Sequence, residues 1–399
     1  MATSSTPASE HWLIRTGLPT LSWRGVLRGL GRVVAGIVIG VLIFLAFSAI
    51  MSTQTVTMPA VTGPADVGRV ALAFQDTGRV DPFASDGRTR ELNVWIWYPS
   101  ADARGDPAPY LPSAWASRLN TLGPLSQDLT AVRTHSIADA LLDGQPSVVV
   151  LLPGLGQPIA GYSSFAEDLA SQGYAVVGIN PTGSVDVEFP DGHIVPATAL
   201  GGVMETNIDD WYESAGRVTS VWVDDAQFVV DSLVANPPSI GALDFEHVAY
   251  VGHSLGGAAA VEACSQDPDC AGAIDLDGTL WTEVRHTGLA APTLLIHHDS
   301  SEPCDQFCER ARVDFATVGA SANVEDLAIA GSGHNTFSDL GLMWGPGTSQ
   351  MGTIDADRMM EITRDLVRSF LDVHVRGAPA ANFSSAVERY PEVSAGAAH

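Results

Sequence analysis

From residue 147 onward the chain alternates short, solid apolar runs with amphipathic stretches, and this alternation restricts the fold more than any other feature. The runs are SVVVLL (147–152), YAVVGI (174–179), HVAYV (247–251), AGAIDL (271–276), TLLI (293–296) and 324–330. Strands this apolar on consecutive residues are buried on both faces, as in a parallel sheet covered by helices on each side. The intervening segments 163–172, 218–235, 255–265, 304–318 and 355–375 read as those helices; in the last, Ile362, Leu366 and Phe370 recur every four residues. Upstream, 67–74 and 91–98 alternate apolar and polar residues like half-buried strands, joined through DPFASDGRTR. No internal repeat is present. The mixed stretch 181–218, with a turn at Phe189-Pro190-Asp191-Gly192, is long enough to form a cap over the C-terminal edge of the sheet.

Gly252-His253-Ser254-Leu255-Gly256-Gly257 joins the run HVAYV to the helix LGGAAAVEAC. A G-x-S-x-G string between strand and helix has the form of a nucleophile elbow, and its glycines fit because the turn brings backbones too close for side chains. This predicts an α/β-hydrolase fold with Ser254 as nucleophile. A serine hydroxyl needs a base to take its proton and a carboxylate to orient that base, and in this fold the chain order is Ser, acid, His. His334, in Gly331-Ser332-Gly333-His334-Asn335 after the last expected strand, occupies the position of the base. His286, His297, His298 and His374 read as structural or solvent-facing. The acid is Asp277 or Asp299, each at the end of a strand, and sheet geometry does not choose between them. The oxyanion hole needs two backbone N–H groups. Leu255 supplies one; the loop Pro153-Gly154-Leu155-Gly156 supplies the other, from Leu155 or alternatively Gly156.

The chain carries a formal charge of −26, and all of its basic side chains are Arg. The first fifty residues are net +3 and the rest net −29, so a nucleic-acid binder is excluded: phosphate neutralisation needs clustered cations. Residues 33–50 (VVAGIVIGVLIFLAFSAI) contain no charge and as a helix would span roughly 27 Å, close to the thickness of a bilayer's hydrocarbon core. With the Arg cluster ahead of it, this segment predicts a single-pass membrane protein with a cytoplasmic N-terminus and an extracytoplasmic catalytic part. Cleavage near Ala46-Phe47-Ser48 and secretion is the alternative. The expected organisation is a basic leader (1–32), a transmembrane signal-anchor (33–51), a linker (52–65), a catalytic domain (66–376) and a C-terminal tail (377–399). Cys264, Cys270, Cys304 and Cys308 suggest two disulfides, most simply 264–270 and 304–308. No C-x-x-C pair points to zinc, and His297-His298-Asp299 reads as a strand end rather than a ligand set, so no metal or cofactor is expected.

Several segments resemble the plasma-type (group II) platelet-activating-factor acetylhydrolase family of α/β-hydrolases, particularly its bacterial relatives. They are GRVDPFASDGRTRELNVWIWYPS, APYLP, THSIADA, LLPGLG, GHSLGG, AIDLDG and GSGHNTFSD, spread over about residues 63–370. The resemblance implies that the acid follows the strand after the nucleophile helix, which is Asp277. It also implies action on short or oxidised acyl chains of lipids. Pro153 stands where the family's H-G-L-G-type oxyanion loop carries His. The expected function is therefore a serine-dependent carboxylic ester hydrolase acting on a lipid or small ester. A polyester or general lipase-type hydrolase, or an acyltransferase, is the alternative on the same residues. A non-catalytic, membrane-tethered binding domain is the alternative of another class. The acidic body predicts a preference for zwitterionic or neutral esters over anionic ones.

Overall fold

The computed structural model describes residues 23–52, 55–102, 104–119, 128–203, 207–298, 306–319, 321–348 and 350–396. Its elements in chain order begin with α1 (Trp23–Ser52), β1 (Asp66–Val80), β2 (Thr89–Ser100), α2 (Ser113–Leu119), β3 (Ile137–Ala138), β4 (Ser147–Leu152), α3 (Ser163–Ser171) and β5 (Ala175–Ile179). A small hairpin, β6 (Val187–Glu188) and β7 (Ile194–Val195), precedes α4 (Ile208–Ala235), β8 (Asp244–His253), α5 (Leu255–Gln266) and β9 (Cys270–Leu276). The chain continues through α6 (Val284–Thr287), β10 (Thr293–His298), α7 (Gln306–Gly319), β11 (Val324–Ile329), α8 (Leu340–Trp344), α9 (Ala356–His374), α10 (Ala381–Arg389) and β12 (Val393–Ala395).

Ten strands form one sheet in the order β12-β11-β10-β9-β8-β4-β5-β2-β1-β3. The run from β11 to β5 is parallel, while β2 on β5, β1 on β2 and β12 on β11 are antiparallel. Both faces are buried, which explains the solid apolar runs. Along β4, Val149 and Leu151 enter a core with Phe165 and Leu169 of α3 and Leu366 and Phe370 of α9. Val148, Val150 and Leu152 enter the opposite core, with Val218 of α4, Ala259 of α5 and Val318 of α7. Each such side chain contributes roughly 1.5–3 kcal/mol when fully buried. This is the α/β-hydrolase architecture. Because β5 and β8 flank β4 on opposite sides, the sheet order reverses at β4, and the crevice beyond the C-terminal ends of β4 and β8 is where such sheets place ligands.

Three stretches depart from the sequence expectation. Helix α4 starts ten residues before 218: Asn207 caps it by accepting the Asp209 and Asp210 N–H groups, and these acids suit a helix N-terminus. Its first turns carry Ile208, Trp211, Tyr212 and Ala215 at helical spacing, a periodicity that the sequence reading missed inside the mixed stretch 181–218. The linker expected over 52–65 is not a free tether where it is described. The Met58 N–H donates to Arg133 O, the Thr62 N–H to Asp168 Oδ1 and the Ala65 N–H to Ser171 O, with Met58 buried. The expected tail, 377–399, carries α10 and the sheet strand β12; Phe383, Ala386 and Tyr390 lie in the core.

Helix α1 includes Gly29–Ala46, with a mean hydropathy of 2.3 and no part buried, and is long and apolar enough to cross a membrane. Cys264 and Cys270 form a disulfide between the end of α5 and the start of β9. The expected 304–308 bridge lies outside the described residues.

Candidate active site

Strand β8 ends at His253 and α5 begins at Leu255, leaving Ser254 to make the whole reversal. Its backbone sits at φ 56°, ψ −124°, a conformation that a serine adopts only when its surroundings impose it. Those surroundings are backbone. A Cβ on Gly252 would lie 2.0 Å from Gly256 O, and one on Gly256 would lie 2.3 Å from Pro153 O. The elbow is thus pressed against the loop that follows β4, and Leu155 and Leu255 line one cavity together with Ser254.

His334, just beyond β11, places Nε2 3.0 Å from Ser254 Oγ and Nδ1 2.6 Å from Asp277 Oδ2. With Nδ1–H donated to the carboxylate, Nε2 is left to accept the serine proton. Asp277 follows β9 with φ 59°, and its N–H donates to Ile296 O of β10. Its Oδ1 accepts both the backbone N–H and the Nδ1–H of His298, each at 2.8 Å. Burial pushes the Asp277 carboxyl up, but hydrogen bonds from His298 and His334 and their charges outweigh this and hold it well below the usual carboxylate range. The other candidate acid, Asp299, lies outside the described residues; Asp277 is the carboxylate that reaches His334.

Beneath this chain lies a second one. His253 is buried, and its Nε2–H donates to His334 O at 2.8 Å. That fixes the tautomer: Nδ1 accepts from the Tyr162 hydroxyl at 2.7 Å, and Tyr162 Oη accepts the Gly154 N–H at 2.9 Å. Burial, with His334 alongside, lowers the His253 pKa to about 3, so the imidazole stays neutral. The loop after β4 and the His334 loop are therefore tied through one buried pair of rings.

The cavity over Ser254 measures about 640 Å³, within the range of small-molecule sites. Trp211, Trp281 and Phe315 supply much of its apolar wall, and the rings of Trp211 and Trp281 meet edge to face at 4.5 Å. Val203 and Trp211 place the 181–218 insertion in that wall. Asp277, His298 and His334 bring a carboxylate and two imidazoles within 4.8 Å of one another, a set that could ligate zinc. Here both Nδ1 atoms face Asp277 as hydrogen-bond partners, where a metal would have to sit.

A family model described as platelet-activating factor acetylhydrolase, isoform II, matches residues 227–382. A probable 1-alkyl-2-acetylglycerophosphocholine esterase of Arthroderma benhamiae is 25% identical over 271 residues, which is 62% of this chain and 65% of that relative's length. A solved ferulic acid esterase from Streptomyces cinnamoneus is 30% identical, with a TM-score of 0.74, covering 86% of this chain and 99% of that one. The chain is an α/β-hydrolase with esterases among the proteins it resembles, and its similarity to the platelet-activating-factor acetylhydrolase family extends over residues 227–382. The family match takes in Ser254, Asp277, His298 and His334, whereas Leu155, Tyr162 and the cavity's insertion wall precede it. His298, read from the sequence as structural or solvent-facing, instead contacts Asp277, and the sequence did not single out His253 or Tyr162. The place of His298 at the C-terminal end of a parallel strand, the edge where sites form, was the available signal for it. Nothing local marked Tyr162.

Proposed function

We propose that this protein is a serine-dependent carboxylic ester hydrolase working through an acyl-enzyme. The hydrogen-bonded chain Ser254–His334–Asp277, at the point where the sheet order reverses, carries the reading. Ser254 Oγ attacks the ester carbonyl as His334 Nε2 takes its proton, and Asp277 holds the imidazole and stabilises the imidazolium. The N–H groups of Leu155 and Leu255 receive the developing oxyanion. His334 then protonates the departing alcohol, and water, deprotonated by the same imidazole, releases the acid and regenerates Ser254.

Short or oxidised acyl groups on lipids are the proposed substrates. The family match over residues 227–382 and the name of the Arthroderma relative support this, as does the apolar cavity wall. The same wall is aromatic, and together with the likeness to a ferulic acid esterase it favours a second reading, in which aromatic acyl esters are cleaved. We further propose that residues 33–51 anchor the enzyme in a membrane with the catalytic domain extracytoplasmic, which the length and apolarity of α1 support.

Ser254→Ala in the full-length, detergent-solubilised protein should reduce p-nitrophenyl acetate hydrolysis by roughly 10⁴-fold or more and abolish labelling by a fluorophosphonate. Undiminished turnover would sink the assignment. A panel running from acetyl to long-chain and feruloyl esters separates the two substrate readings.

A further inference from the structure

We propose that His298 is a positioning residue for ester hydrolysis: it shares the Asp277 carboxylate with His334, fixing that carboxylate's orientation and moderating the basicity of His334. The inference rests on the hydrolase reading above. Orientation of an imidazole by a carboxylate needs only one acceptor oxygen, yet here a second imidazole comes to the same group. Oδ2 accepts His334 Nδ1–H at 2.6 Å, and His298 Nδ1 lies 2.8 Å from both Oδ1 and Oδ2. The backbone N–H of His298 adds a bond to Oδ1. One residue of β10 therefore grips the carboxylate through main chain and side chain at once.

Strand alternation explains how His298 gets there. His297, one position earlier, turns to the opposite face, where its ring meets Phe315 at 4.6 Å and pairs with Asp326 of β11 at 3.1 Å. His298 then points to the C-terminal edge, 6.4 Å from the His334 ring between centroids, with about a third of its side chain exposed to the cavity. Among the described residues, the titratable and charged groups around it are Asp277 from β9, His297 on its own strand, His334 with His253 beneath it, and Arg312 of α7 on the wall of the same cavity.

A carboxylate that donates electron density to two N–H groups gives less to each. Removing the His298 ring concentrates the Asp277 charge on His334, strengthens that bond and favours the imidazolium. The base is active only when neutral, so the acid limb of kcat/KM must move to higher pH. The carboxylate, held then only by the residue 298 N–H and His334, also loses orientation.

The experiment uses the full-length protein with His298→Ala, His298→Phe (ring bulk without a donor) and His298→Asn, whose amide N–H replaces Nδ1–H. In the Ala and Phe variants the acid limb should rise by about half to one pH unit, with kcat down roughly tenfold and KM within about twofold. In His298→Asn both should return most of the way to wild type. The low-field proton resonance of His334 Nδ1–H should shift further downfield in the Ala and Phe variants and return in Asn, a readout that needs no turnover. An unmoved acid limb and resonance in whichever donor-less variant folds overturns the proposal, even where kcat or stability falls. Inactive wild-type protein that also resists fluorophosphonate would instead defeat the hydrolase reading, and the resonance would still report on His298.

Discussion

Few residues at this site act alone. Ser254 has its strained backbone imposed by Gly252 and Gly256, Asp277 is oriented by His298, and the main chain of His334 is held by His253. The Tyr162 hydroxyl is the hinge of the buried network, because it serves His253 Nδ1 and the Gly154 N–H at once. Tyr162→Phe removes one oxygen and leaves a buried acceptor and a buried donor without partners. We expect a loss of about 2–4 kcal/mol of stability by thermal or urea unfolding. We also expect kcat to drop roughly tenfold, because the loop after β4 and the His334 loop are no longer tied together. Wild-type melting and turnover in this variant would show that the two loops hold their positions independently.

Among the elements that carry no site residue, α10 and β12 bear on the site through β11. Strand β12 pairs with β11 from Val393 to Ala395, and the Ala330 N–H donates to Glu392 O immediately before the loop bearing His334. Arg358 of α9 holds Glu392 through both carboxylate oxygens. Deleting residues 377–399 exposes the edge of β11 and removes Phe383, Ala386 and Tyr390 from the core. The burial lost is worth about 5 kcal/mol, so the melting temperature should fall on the order of 10 °C and activity should fall with it. Calorimetry and turnover on the shortened chain check this; an unchanged melting temperature would make the segment dispensable.

For the whole molecule the relevant quantity is charge. The residues after the first fifty carry net −29, and the cavity opens from this acidic body. Negative potential should repel anionic head groups over distances comparable with the Debye length, roughly 10 Å in 0.1 M salt. Hydrolysis of an ester carried in zwitterionic micelles should therefore exceed that in anionic micelles several-fold at low ionic strength, and the gap should close as salt is added. Equal low-salt rates on the two surfaces would show that local contacts, rather than the overall field, govern access.

The parallel sheet, the elbow at Ser254, the candidate base His334 and the apolar N-terminal segment were all legible in the sequence, since each is written in local periodicity or a short motif. Asp277 was reached by resemblance alone. Nothing local separates it from another aspartate at a strand end until β9 and β10 are laid side by side and one carboxylate meets His334. The same holds for His298, for the bond from Tyr162 to a histidine 91 residues away and for β12 in the sheet. Short-range pattern determines which elements form. Which distant side chains share a proton depends on strand order and register, and only the packed sheet decides those.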